Sequence, residues 1–109
     1  MASAYPQTTS KPTLPYDALA EFCRRWKIVR LEVFGSALRD DFGPTSDIDF
    51  LYVFAQDAHI GWAFVDLCEE LERLVGRPVD MVSRKAIEQS ANLRRRQEIL
   101  DTAQVIYAA

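Results

Sequence analysis

The run Asp47-Ile-Asp-Phe-Leu-Tyr-Val-Phe54 constrains this chain more than any other. After its two aspartates it is apolar throughout, the pattern of a central strand covered on both faces. Helices must then flank a sheet, and the remaining sequence offers them. Residues 16–27 place Leu19, Phe22, Cys23 and Trp26 at helical spacing, with Pro15 suited to the first turn. Residues 60–75 give the clearest helix, with a buried stripe of Ile60, Phe64, Leu67, Leu71 and Leu74. Gly76 stops it and Pro78 prevents its resumption. A last helix is predicted from about Asn92 to Tyr107, with Leu93, Leu100, Ala103 and Tyr107 on its inner side.

Two further strands complete the pattern. Residues 28–34 alternate, with Val29, Leu31 and Val33 on one side and Arg30 and Glu32 on the other. Residues 78–82 form a short strand, after which Ser83 can cap a brief helix. The order helix, strand, strand, helix, strand, helix, helix predicts an α/β (α+β) sandwich, a small mixed sheet of three or four strands covered by helices.

A chain of 109 residues fits one domain of this kind, with no room for a second substrate-binding unit. Residues 1–14, rich in Ser, Thr and Pro, read as a flexible tail ahead of a domain at 15–109. That tail has no apolar signal segment, and no run approaches the ~18 apolar residues of a membrane span, so a cytoplasmic protein without membrane contact is expected. The net charge of −3 gives no bulk case for direct nucleic-acid binding. Cys23 and Cys68 have no partner at metal-ligand spacing and read as small buried hydrophobes in a reducing compartment. The run Arg94-Arg95-Arg96 reads as a solvated helix face, His59 as a surface residue, and Trp26, Phe42, Tyr52 and Trp62 as packing aromatics.

The chemistry concentrates in residues 33–50. Asp47 and Asp49 stand two apart on a strand, so both carboxylates point to one face. Like charges that close cost free energy unless a cation neutralises them, and a hard divalent ion with oxygen ligands, Mg²⁺ above all, suits that need beside substrate phosphates. Upstream, Gly35 lets the backbone approach a ligand, and the N–H groups that follow, with the Ser36 hydroxyl, offer an anion cradle. Arg39 can reach either a phosphate oxygen or Asp41. A third carboxylate, Asp80, lies in the short strand at 78–82. It either joins the first two across the sheet or faces outward from an edge strand.

Gly35-Ser36, ten residues, then Asp47-x-Asp49 resembles the signature of the minimal nucleotidyltransferases of the polymerase-β nucleotidyltransferase superfamily. The likeness extends to the flanking strands, to the Pro-Val-Asp segment ending at Asp80, and to the closing Ile99-Leu100…Val105-Ile106-Tyr107. Where many relatives read Gly-Ser-Arg-Ala-Arg-Gly, this chain reads Gly-Ser-Ala-Leu-Arg-Asp, losing a basic side chain at Ala37 and gaining an acid at Asp40.

The resemblance implies a polymerase-β-like fold and nucleotidyl transfer from ATP. Two Mg²⁺ ions would be held by Asp47, Asp49 and Asp80, with Asp80 also serving as base. The nucleotide would be bound by Gly35, Ser36, Arg39 and Ser46. It further implies an antitoxin that transfers AMP to a tyrosine hydroxyl of a HEPN-domain ribonuclease toxin. Homo- or hetero-oligomers are left open. The alternatives are transfer to a small-molecule hydroxyl, and a non-catalytic antitoxin acting by contact alone.

Overall fold

The computed structural model describes residues 14–35 and 47–109. Four strands form one sheet in the order β3-β2-β1-β4. They are β1 (Ile28–Phe34), β2 (Ile48–Phe54), β3 (Val79–Ser83) and β4 (Gln104–Ala108). β1 pairs antiparallel with β2 and β4, while β2 and β3 run parallel, so the sheet is mixed as the sequence predicts. The parallel pair requires a crossover, which the helix between them supplies.

β2 is buried on both sides, as its unbroken apolar run demands: Phe50 and Leu51, adjacent and therefore pointing oppositely, are both fully buried. On one face Ile48 and Phe50 pack with Leu31 and Val33 against α1 (Tyr16–Arg25) and α2 (Phe64–Val75). Leu19, Phe22 and Cys23 enter from α1, and Leu67 and Leu71 from α2. On the other face Phe34 and Leu51 meet Ile87 of α3 (Arg84–Glu88) and Ile99 of α4 (Leu93–Thr102) in a smaller cluster. Leu14 is also buried in the larger core.

Four expectations are corrected. The chain after Thr102 is not helical: Ala103 adopts an extended conformation (ψ 141°), and residues 104–108 form β4 on the open edge of β1. Val105-Ile106-Tyr107 carries β-branched and aromatic side chains, which suit a pleated surface better than a fourth helical turn. Leu93, expected inside, is 61% exposed, and Ile99 takes the inner position. The helix predicted from Ile60 starts at Phe64, after a single 3₁₀ turn over Gly61–Ala63. In β1 the register shifts between Ile28 and Arg30, so Ile28 rather than Val29 joins Leu31 and Val33 in the core.

The capping signals behave as the sequence predicts. Gly76 closes α2 in the left-handed region (φ 75°), its N–H donating to the Glu72 carbonyl at 2.8 Å. The Ser83 hydroxyl accepts from the Ala86 N–H at the start of α3.

Candidate active site

The register between β2 and β3 sets the site. Asp49 and Asp80 are direct partners across the parallel pair, so both side chains leave the same face of the sheet on strands about 5 Å apart. Asp47 precedes β2 by one residue and follows the same alternation. There the Ile48 N–H donates to the Pro78 carbonyl at 3.0 Å, which holds the chain ahead of β2 against the chain ahead of β3. Asp47 and Asp80 are exposed and Asp49 is half-buried. Asp80 thus stands in register with Asp49 and is at the same time an exposed residue of an edge strand.

Phe34 pairs with Asp49 from the other side, and Gly35 follows it with φ 75°. A Cβ at Gly35 would collide with Asp49 Oδ2 and lie 3.3 Å from its Cγ. Only glycine satisfies both the left-handed backbone and the close approach of that carboxylate. Ser36, Arg39 and Ser46 lie outside the described residues, as do Ala37, Asp40, Asp41 and Phe42.

The donor set of Asp47, Asp49 and Asp80 is all hard oxygen, as Mg²⁺ prefers. Among the described residues no three acidic, histidine or cysteine side chains close into a preformed cage. The carboxylates instead form an open row on the sheet surface. That fits an ion which uses one or two protein carboxylates and completes its shell with substrate phosphates and water.

Two supports of this row are hidden in the sequence. Glu72, off the apolar stripe of α2, accepts the Val79 N–H on its carboxylate at 3.1 Å. It thereby anchors β3 one residue before Asp80. Glu32, read as the polar side of an alternating strand, is 3% exposed. Its carboxylate takes Nη1 of Arg84 and, at 3.2 Å, Nη2 of Arg30. A Glu in strand alternation signals exposure, and only the sequence-distant Arg84 could have signalled otherwise.

The remaining candidates lie elsewhere. Trp26 is half-buried and donates from Nε1 to Glu70 at 3.1 Å, and Tyr52 packs among Phe54 and Phe64. Trp62 is 96% exposed and His59 is exposed. Both cysteines are free, and burial pushes the Cys23 thiol up to about 12, far from a reactive thiolate. A shallow groove on α4, lined by Arg94, Gln97, Glu98, Asp101 and Thr102, contains none of the nominated site residues. No helix among the described residues is long and apolar enough to cross a membrane.

Comparison with known proteins gives a consistent picture. The nucleotidyltransferase domain family matches residues 16–106. A solved structure of a putative minimal nucleotidyltransferase is 32% identical, covers 81% of this chain and 85% of its own, and superposes with a TM-score of 0.62. The putative protein adenylyltransferase MJ1379 of Methanocaldococcus jannaschii is 30% identical over 64 residues, which is 58% of this chain and 64% of that protein. The chain thus aligns with somewhat under two thirds of that relative. A toxin-antitoxin structure with AMP-PNP shares the fold at 18% identity, with a TM-score of 0.64 over 88% of this chain and 75% of its own.

Proposed function

Because this chain belongs to the nucleotidyltransferase domain family, in its minimal branch, we propose that it is a metal-dependent adenylyltransferase. In this reading it acts as an antitoxin, moving AMP from ATP to a tyrosine hydroxyl of a HEPN-domain toxin. The observation that carries the transferase reading is the pairing of Asp49 with Asp80 beside Gly35, which aligns three carboxylates along one face next to the start of the phosphate loop. The adenylyl and toxin parts draw their support from the relatives, one named a protein adenylyltransferase and another a toxin-antitoxin complex holding an ATP analogue.

Asp47, Asp49 and Asp80 would hold the metal. A bound Mg²⁺ pair supplies charge neutralisation on the triphosphate and a lowered pKa for the attacking hydroxyl. Gly35 leaves backbone room for the phosphates, and the Ser36 hydroxyl, Arg39 and Ser46 would bind the triphosphate. Asp80 is exposed and lies on the edge strand, where an acceptor can reach it from solvent. It takes the proton of the incoming hydroxyl as that oxygen bonds to the α-phosphorus, and pyrophosphate leaves with the electron pair of the broken P–O bond.

The test is mass spectrometry of the candidate toxin after incubation with this chain, ATP and Mg²⁺, beside the Asp47→Asn variant. The expected result is a gain of one or more AMP units with the unaltered chain only. A stable complex with no added mass would favour inhibition by contact alone.

A further inference from the structure

The carboxylate row is one of two parallel rows that the register draws across the sheet. The first runs Asp80, Asp49, Phe34 and the second Val82, Leu51, Glu32. The second lies two residues further along β2, about 7 Å from the first. At its β1 end sits Glu32, the one buried charged residue among those described. Its partner Arg84 comes from the far side of β2, directly after β3 ends at Ser83. The Arg84 guanidinium therefore crosses over Leu51 to reach Glu32. It is itself steadied by Glu88 at 2.9 Å, while Arg30 closes the other Glu32 oxygen at 3.2 Å.

This ion pair spans the three strands that carry the site. β1 delivers Gly35, β2 delivers Asp49, and β3 delivers Asp80. Resting on the reading of those carboxylates as a metal and nucleotide site, we propose that Glu32 is a positioning residue. Through Arg84 it fixes the spacing of β1 and β3 across β2, and so holds Gly35 and Asp80 against Asp49. Glu32 touches neither substrate nor metal. A buried charge pair is seldom the cheapest way to stabilise a core, since apolar residues of similar volume often serve as well or better. The pair instead offers directional bonds between strands that otherwise meet only through β2.

That contrast supplies the test. Glu32→Met combined with Arg84→Met removes the bonds across β2 and leaves only Arg30 and Glu88 without their partners, both of which reach solvent. Thermal unfolding should shift by only a few degrees, while Mn²⁺ binding in the presence of a non-hydrolysable ATP analogue, read by calorimetry, weakens ~10-fold or more. Adding Asp80→Asn to the double variant should then cost less affinity than Asp80→Asn costs alone, because the spacing it depends on is already lost. Glu32→Gln, which keeps shape and one acceptor, should weaken Mn²⁺ binding severalfold and serves if the double variant does not fold. Mn²⁺ affinity within twofold of the unaltered chain, in either folded variant, would overturn the proposal. Normal Mn²⁺ binding by the unaltered chain without AMP transfer to any acceptor would instead count against the transferase reading, leaving the positioning result to stand by itself.

Discussion

At the scale of single residues, the account turns on Gly35 and the aspartates beside it. Gly35 combines φ 75° with an Asp49 carboxylate where its own Cβ would stand. Gly35→Ala is expected to cost about 1–2 kcal/mol in backbone strain and to displace Asp49. Urea unfolding should register the first effect, and loss of AMP transfer out of proportion to the stability change the second. Asp49→Asn removes a negative charge from a crowded row, so the fold should survive it. Transfer should fall ~100-fold or more if the carboxylate binds metal. The cysteines report on the core directly. Cys23 is buried with its thiol raised to about 12, and burial also raises Cys68, which is only half-buried. Alkylation at pH 8 should thus leave Cys23 unlabelled in the native protein and label it once urea unfolds the chain.

At the scale of elements, legibility tracked how local the signal was. The strand at 48–54, Leu67 and Leu71 on the buried side of α2, the Gly76 stop and the Ser83 cap all depend on neighbours within a few residues, and each stands where its local pattern predicts. β4 did not, because Leu93, Leu100 and Ala103 fit a helical stripe, and only the free edge of β1 decides that Val105 to Tyr107 extend instead. Removing residues 104–109 should expose that edge, lower the denaturation midpoint and promote aggregation. Light scattering during thermal unfolding would report both.

The junction of α1 and α2 supplies a pH test. Arg25 and the Trp26 Nε1–H both bond Glu70, and they hold its carboxyl below the ordinary glutamate range. A folded value lower than the unfolded one means that the contribution is present above the unfolded pKa. It is lost as pH falls through the folded value, on the acid side of the ordinary glutamate range. Both partners are partly solvated, so the effect on stability is small. Trp26 emission should nonetheless change across that acid range in a Trp62→Phe background, and the step should vanish in Glu70→Gln.

At the scale of the whole molecule, the two faces of one sheet do different work. Helices α1 and α2 cover one face with the larger core, where Leu71 is fully buried. Leu71→Ala should cost about 2–5 kcal/mol in urea unfolding. The opposite face carries a smaller cluster and, beyond it, the open row of Asp47, Asp49 and Asp80. The sequence reading could nominate that row because the crossover logic brings 79–83 beside 48–54. It could not see the Glu32–Arg84 bond or the Glu72 anchor, which join residues whose spacing has no periodic meaning. The open face also fits an acceptor supplied by another chain.

The central claim is nucleotidyl rather than phosphoryl transfer at that row, and labelled ATP decides it. The candidate toxin would be incubated with this chain, Mg²⁺ and ATP carrying ³²P at either the α or the γ position. Label should reach the toxin from α-labelled ATP alone, and not at all when Asp49→Asn replaces the unaltered chain. Label from the γ position, or α label that persists in Asp49→Asn, would contradict the claim.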